Sequence, residues 1–160
     1  MKYIKLSHNK QAIVDDKDYE IINQYKWTFL APPRSKTGYA VNKKKIYKSM
    51  HRFITNCPKG LEVDHINGNG LDNRRENLRI CTKLQNCKNR KKYKGVSKYK
   101  GVSWHNTAKK WQVHIYLSKE KIRKNLGLFD NEIEAAKQYD KFARRYHKEF
   151  ASLNFERILT

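Results

Sequence analysis

The chain has 160 residues, 38% of them hydrophobic, which suits one or two small domains better than a single large core. Its 36 basic residues outnumber 15 acidic ones, and the net charge of +21 is spread over both halves of the sequence. This charge indicates a polyanionic partner, most often nucleic acid, and the lack of a long apolar run argues against a membrane span or a signal peptide.

The first 55 residues predict short strands and a single helix. Asp15 and Asp16 stand just before Tyr19, Ile22 and Tyr25. The spacing of these apolar residues predicts a helix whose acidic end is stabilised by the helix dipole. Strand character is found at residues 3–6, 12–14, 27–30, 39–41 and 46–47.

The last two of these strands are expected to pair as a hairpin with its turn at residues 42–45. The turn holds Lys43, Lys44 and Lys45. Such a run is ordinarily a solvated hairpin tip, and contact with nucleic-acid phosphates is the alternative.

The most strongly patterned stretch covers residues 63–79, which are too polar for a core and too regular for an ordinary loop. Val63 is interpreted as the end of a short strand, so that Asp64 and His65 are expected at its exit. Asn-Gly-Asn-Gly at residues 67–70 is a double turn signal, because Asn and Gly adopt positive φ at low cost. The few apolar anchors are Leu71, Leu78 and Ile80.

A helix is expected over residues 82–90, with Thr82 as its N-cap and Asn86 in its first turns. Asp64 and the amide oxygen of Asn86 are hard ligands that suit Mg²⁺ or Mn²⁺. His65 suits a general base that activates water, since its ordinary pKa lies near neutrality. The pattern thus indicates metal-assisted hydrolysis. The alternative is a surface loop rich in Asn and Asp that contains a hydrogen-bonded histidine.

Asp64-His65, Asn77 and Asn86 at this spacing resemble the His-Asn-His (HNH) endonucleases with a ββα-metal site. They are similar in particular to the phage and intron homing branch, in which the last His is replaced by Asn. The resemblance implies that His65 is the catalytic base, that Asp64 and Asn86 hold the metal, and that Asn77 completes the catalytic site by bracing the loop. Asn89, one helical turn beyond Asn86, is a second candidate ligand of lower rank. The matching text lies within residues 48–90, at 50–53, 63–69, 72–79 and 85–89.

Basic residues near such a site are expected to contact DNA phosphates. They are Lys43, Lys44, Lys45 and Arg52.

The three cysteines, Cys57, Cys81 and Cys87, lack C-x-x-C spacing, which disfavours a disulfide framework and favours a reducing compartment. A zinc site built from them with His51 or His65 is an alternative, but its spacing fits no zinc pattern. The resemblance implies the cytoplasm of a bacterial host and a gene carried by a phage or a mobile element.

Residues 91–98 are expected to form a basic linker. The hexapeptide Lys-Tyr-Lys-Gly-Val-Ser occurs twice in succession, at residues 92–97 and 98–103. A basic, aromatic linker of this kind could lie along a DNA backbone.

The sequence beyond the linker predicts three strands and a helix. Residues 111–116 alternate with period two, which places Trp111, Val113 and Ile115 toward a core and the intervening residues outward. A helix should follow from Asn131. The flanking strands are expected at residues 101–104 and 122–127, and the apolar side of the helix comprises Ile133, Ala136, Tyr139, Phe142, Ala143 and Tyr146.

This second region resembles the Apetala-two/ethylene-response-factor DNA-binding domain of plant regulators. The matching text lies at residues 99–102, 110–111, 126–130, 134–140 and 153–155. The resemblance implies a three-stranded sheet that lies in the major groove of duplex DNA. Several contact positions hold residues other than the Arg or Trp of that family, so its base preference is not transferred. By position, the contacts are Lys100, Ser103, His105, His114, Tyr116, Arg123 and Asn125.

The sequence therefore predicts an α+β protein in two modules. A ββα-metal nuclease module with flanking short strands occupies residues 1–90, with its metal site in 63–90, and a three-stranded antiparallel sheet packed on one helix occupies 99–157. We expect a site-specific homing endonuclease that uses Mg²⁺ or Mn²⁺, acts on double-stranded DNA as a monomer and nicks one strand, with no membrane partner. One alternative is a DNA-binding regulator with a silent nuclease site. Another is an RNA-binding ribosomal accessory protein, which explains the charge but not the spacing of the polar residues.

Overall fold

The computed structural model describes residues 1–31, 37–42, 49–89, 95–117 and 120–155. The chain divides into two compact units, Met1–Asn86 and Cys87–Thr160. Both mix helices with small sheets, and every strand pairing between the named strands is antiparallel. None of the helices in these described ranges is long and apolar enough to cross a membrane.

The first unit begins with a hairpin of β1 (Lys2–Lys5) and β2 (Gln11–Val14), followed by α1 (Asp16–Asn23). These elements confirm the predicted strands and helix. Alternation along β2 buries Ala12 and Val14 completely, and α1 adds Ile22 to the same core. The rest of this core includes Ile4, Trp27, Ala40, Met50, Ile54, Val63 and Leu78.

β3 (Thr28–Leu30) pairs with β4 (Tyr39–Val41), a pairing that the sequence did not predict, whereas the hairpin expected between residues 39–41 and 46–47 stays a prediction. The ring of Phe29 explains the observed pairing, because a Cβ on Gly38 would lie only 2.0 Å from its Cε2 atom. Only a glycine beside β4 lets β3 approach so closely. Residues 46–47 and the lysine run at 43–45 lie outside the described residues.

A second helix, α2 (Met50–Thr55), corrects the expectation of a single helix in this region. It has only six residues, too few for a helical period to be recognised in the sequence. It buries Met50 and Ile54, one turn apart, and ends at Asn56, whose φ of 47° is left-handed.

The polar stretch folds as β5 (Glu62–His65) and β6 (Leu78–Cys81), joined by a loop that ends in a short 3-10 turn, and then α3 (Lys83–Lys88). Asp64 and His65 were expected beyond the strand but lie within β5. Of the expected anchors, Leu78 is buried, whereas Ile80 is 41% exposed and anchors nothing.

Thr82 caps α3 as predicted. Its Oγ1 accepts the backbone N–H of Gln85 at 3.3 Å, and Gln85 Oε1 accepts the backbone N–H of Thr82 at 2.8 Å. This reciprocal pair is a capping box. Arg90, the last residue of the predicted helix, lies outside the described residues. Residues 91–94 of the expected linker lie outside them as well.

The second unit contains β7 (Val102–His105), β8 (Lys110–Leu117) and β9 (Ile122–Phe129) in one sheet, followed by α4 (Glu132–His147). Asn131 Oδ1 caps α4 by accepting the backbone N–H of Ile133 at 2.7 Å. These elements agree with the three strands and the helix that the sequence predicted.

One face of this sheet packs on α4 through Val113 and Ile115, which are 0% and 1% exposed. Most of the predicted apolar side of α4 also lies in or against this core. Ile133 is the exception, since it is 46% exposed at the first turn of the helix, and Ala135 is buried instead. A buried carboxylate of α4, Asp140, accepts the backbone N–H groups of Asn154 and Phe155 and so fixes the chain that follows the helix.

Candidate active site

Two acidic side chains share one face of β5, because Glu62 and Asp64 are two residues apart in an extended strand. Asp64 is 5% exposed. Burial of a carboxylate is costly unless other groups compensate its charge. Here the compensation comes from Arg79, its direct partner on β6.

The Arg79 guanidinium binds one oxygen of Asp64 through two nitrogens. Nε lies 2.9 Å and Nη2 lies 2.6 Å from Oδ2 of Asp64. The carboxylate side chain is 7% exposed and the guanidinium side chain 16% exposed. Arg79 was not predicted as a site residue, because its place opposite Asp64 becomes visible only when β5 and β6 pair.

Asn86 reaches the same face of β5 from α3. Its Nδ2 donates to Glu62 Oε2 at 2.7 Å, and this bond turns its Oδ1 away from the Glu62 carboxylate. Asn86 therefore contacts the face of β5 that also carries Asp64, and the two residues supply oxygen donors, which is the donor chemistry that Mg²⁺ and Mn²⁺ require. Within the described ranges, no group of three or more His, Cys, Asp and Glu side chains could hold a metal. An ion at this site would depend on the amide of Asn86 and on water or substrate oxygens.

His65 occupies the other face of β5 and is 6% exposed. Its ring makes an edge contact with His51 of α2, with centroids 5.1 Å apart, and a tilted contact with Tyr39 of β4 at 5.9 Å. Nε2 lies 3.5 Å from Oδ1 of the buried Asn73. Burial lowers the pKa of His65, and the bond to Asn73 and the nearby acidic groups act in the opposite direction. Burial of the ring thus favours its neutral form, which is the state that can accept a proton.

His51 is a neutral neighbour of His65. Burial is the main cause that lowers the pKa of His51 to about 3, and a proton on His65 or the charge of Arg52 acts in the same direction. Its Nε2 lies 3.1 Å from Ser49 Oγ, and its Nδ1 is buried without a hydrogen-bond partner among the described residues. His51 was predicted only as an alternative zinc ligand, and in the structure it lies against the ring of His65.

The amide of Asn77 ties the loop together at two points. Its Oδ1 accepts the backbone N–H of Asn67 at 2.9 Å, and its Nδ2 donates to the backbone carbonyl of Asp72 at 2.7 Å. Both groups lie inside the loop that joins β5 to β6. Replacing this side chain would leave two loop groups without their partners.

Two N-terminal elements, β2 and α1, form hydrogen bonds with the loop that joins β5 to β6. β2 forms two backbone bonds with it, from Ile13 N to Leu71 O and from Asn73 N to Ile13 O, each 2.8 Å long. The Arg75 guanidinium donates to both carboxylate oxygens of Asp18 on α1 at 2.8 Å. The loop is thus fixed by residues far away in the sequence.

Arg52, one of the predicted DNA-binding residues, has a different environment. Its guanidinium donates to the backbone carbonyls of Leu61 at 2.6 Å, Pro58 at 3.0 Å and Cys57 at 3.1 Å. These bonds hold the turn that precedes β5. We therefore leave Arg52 out of the DNA contacts proposed below.

In the second unit, the sheet face turned away from α4 brings together six of the predicted DNA contacts, which we call the outer face. Tyr116 lies directly opposite Arg123 in the sheet, and both side chains are exposed. His114 lies directly opposite Asn125. Arg123 Nη2 donates to His114 Nδ1 at 3.0 Å. The six residues are Ser103, His105, His114, Tyr116, Arg123 and Asn125.

Lys100 does not belong to the outer face. Its backbone N–H donates to Asn154 Oδ1 at 2.6 Å, and its backbone carbonyl accepts Asn154 Nδ2 at 3.1 Å. Burial lowers the pKa of its ammonium group to about 8. Its backbone thus fastens the start of the sheet to the chain beyond α4.

Two comparisons with known proteins agree with this geometry. The sequence model of the HNH endonuclease family matches residues 53–88, which run from α2 to α3. A viral protein described as an uncharacterized HNH endonuclease, from Acanthamoeba polyphaga mimivirus, is 28% identical over 149 residues, covering 89% of this chain and 74% of its own length. Residues 53–88 of the chain therefore match an HNH endonuclease domain, and the two comparisons together support an enzyme that is a DNA endonuclease.

Proposed function

We propose that the protein is a site-specific, metal-dependent DNA endonuclease of the homing type. It would hydrolyse one phosphodiester of double-stranded DNA in each binding event. The observation that supports this most directly is the arrangement of the first unit, where β5 presents Asp64 and His65 and α3 brings Asn86 to Glu62, two residues before Asp64 on the same face of β5.

Asp64 and the Oδ1 of Asn86 would hold a divalent cation, Mg²⁺ or Mn²⁺, since both atoms are hard oxygen donors. When bound, the cation supplies positive charge to the scissile phosphate and to the departing 3′-oxygen. Glu62 keeps the Asn86 amide oriented so that its oxygen stays available.

His65 acts as the general base. Its ring accepts a proton from water as the water oxygen bonds to phosphorus and the P–O3′ bond breaks, which leaves a 3′-hydroxyl and a 5′-phosphate. Burial favours the neutral ring, and the rings of His51 and Tyr39 contact it. Asn77 acts indirectly by keeping the loop closed beside β5.

The second unit would bind duplex DNA through its outer face. Three observations support this assignment: the face is free of α4, it exposes Tyr116 and Arg123, and it lies in a region that resembles a DNA-binding domain. Arg123 can donate to phosphate or base acceptors through nitrogens that His114 does not use.

Cleavage of supercoiled plasmid carrying a selected target sequence tests the proposal. We expect the full chain to convert it to open circles with Mg²⁺ and to leave it intact with EDTA. Asp64→Asn should abolish cutting, whereas Asp16→Asn, which changes an exposed carboxylate that pairs with the N-terminal amine, should not. Cleavage in EDTA, or full activity of Asp64→Asn, would overturn the metal assignment. Tight duplex binding without cleavage at any metal concentration would favour a regulator.

A further inference from the structure

Arg79 and Asp64 form an ion pair that is part of the sheet and not a surface contact. The two residues are directly paired between β5 and β6, and both side chains are largely buried. Two guanidinium nitrogens bind a single carboxylate oxygen. A positive charge therefore already lies at the group that would bind the catalytic metal.

We propose that Arg79 is a built-in competitor for the metal site. Its guanidinium neutralises Asp64 when no divalent cation is bound, and a cation must bind this carboxylate against that charge. The inference relies on the proposed function, in which Asp64 is a metal ligand.

The physical basis is repulsion between two cations that share one buried carboxylate. Such repulsion is only weakly screened where both groups are shielded from water. Glu62 lies on the same face and favours a cation, but its Oε2 accepts the amide of Asn86. The free enzyme should thus bind metal weakly.

Removing the positive charge of Arg79 should remove both the neutralisation of Asp64 and the repulsion of a bound cation. In Arg79→Met, a side chain of similar length leaves Asp64 buried without the guanidinium, so the metal-free protein should lose stability. A divalent cation would then compensate the carboxylate. We expect the dissociation constant for Mn²⁺, measured by calorimetry on the full chain without DNA, to fall about tenfold. Mn²⁺ should also raise the melting temperature of the variant more than that of the wild type.

A second ion pair in the same unit provides the matched control. Arg74 binds Asp72 through Nε at 2.9 Å and Nη2 at 2.8 Å, and the Asp72 side chain is 4% exposed. Asp72 is not a proposed metal ligand. Arg74→Met should therefore lower the melting temperature while leaving the Mn²⁺ affinity at the wild-type value.

The Asp64→Asn variant distinguishes an error in the proposed metal site from an error in the competitor role of Arg79. If Asp64→Asn binds Mn²⁺ like the wild type, the cation does not use Asp64 and the proposed metal site is wrong. If Asp64→Asn loses Mn²⁺ but Arg79→Met binds it no more tightly than the wild type, Asp64 remains a ligand and the competitor role of Arg79 is overturned. Should Arg79→Met fail to fold, Arg79→Gln removes the charge but keeps an N–H donor, and the same tightening is expected of it.

Discussion

A buried histidine that must accept a proton needs a neutral ring and a fixed orientation, and His65 has both. Its pKa is lowered by burial, and rings from α2 and β4 contact it. We expect His65→Ala to reduce cleavage roughly 10²- to 10⁴-fold, the usual loss when a general base is removed. Single-turnover assays with saturating enzyme measure the loss, and gel shifts should show unchanged DNA binding.

The exposed His8, on the turn between β1 and β2, provides the control. His8→Ala should cleave at the wild-type rate. Wild-type cleavage by His65→Ala would remove this residue from the mechanism.

His51 should make the first unit sensitive to acid. In the folded protein its pKa is about 3, well below the ordinary value of 6.5 that applies to the unfolded chain. Between these values the unfolded chain takes up a proton that the folded chain does not. The free energy of unfolding therefore falls as the pH is lowered, by up to about 1.4 kcal/mol per pH unit.

Substituting His51 tests this dependence. His51→Phe keeps a ring beside His65 but cannot be protonated, so its stability should change less between pH 6.5 and pH 4.5, values chosen to lie roughly within the titration window. Urea unfolding at the two pH values, with His8→Ala for comparison, measures the difference. An equally steep loss in His51→Phe would assign the acid sensitivity to other groups.

At the level of elements, the start of β7 depends on one glycine. Gly101 has a φ of 77°, a left-handed conformation, and a Cβ there would lie 1.9 Å from Cδ2 of Tyr139 on α4. Gly101→Ala therefore combines backbone strain with a clash in the core, and each costs about 1–3 kcal/mol. The melting temperature of the second unit should drop and binding to duplex DNA should weaken.

Gly60→Ala isolates the contribution of the strain. Gly60 also has a left-handed φ, 87°, but nothing lies within 4 Å of the position of an added Cβ. Its loss of stability should be smaller than that of Gly101→Ala, as measured by calorimetry on both variants. Equal losses would mean that packing against Tyr139 contributes nothing.

Long periodic elements could be predicted from the sequence, whereas two short ones, α2 and β6, could not. β8 and α4 have enough residues to show their periods, and their buried sides agree with the predictions apart from Ile133. α2 and β6 span only six and four residues. Their structure depends on packing with distant parts of the chain, which local patterns do not encode.

The candidate site, too, could be predicted only in part from the sequence. Asp64, His65, Asn77 and Asn86 were recognised by residue type and spacing, and their catalytic roles remain predictions. Groups that act on them from other elements were missed, among them the Arg79 guanidinium and the ring of His51. Such neighbours are adjacent only after folding, so no spacing in the sequence indicates them.

At the scale of the whole molecule, the charge of +21 should dominate DNA affinity. Lysine and arginine side chains that bind phosphates release counterions, so affinity falls with rising salt. For about 6–10 phosphate contacts, the loss between 50 and 200 mM salt should be roughly 10³- to 10⁵-fold. Fluorescence anisotropy with labelled duplex at several salt concentrations measures the slope. A flat dependence would contradict an extended phosphate-binding surface.

The number of sites predicts the first product of cleavage. The sequence holds a single Asp-His pair followed by Asn77 and Asn86, so one protomer can hydrolyse one strand in one orientation. We expect a monomer by light scattering and open-circle plasmid before any linear form. Linear DNA without an open-circle precursor, together with a dimeric mass, would contradict the nicking prediction and leave the site assignment unchanged.

The ties between the N-terminal elements and the β5–β6 loop also bear on how the enzyme folds. Arg75 and Asp18 are 57 positions apart, and contacts of such long range carry a large loop-closure entropy and form late. The segment matching the HNH family, residues 53–88, contains neither β2 nor α1. A chain that refolds from denaturant must therefore close this long loop late. On the ribosome, by contrast, β2 and α1 are synthesised first and are already available when the β5–β6 loop emerges.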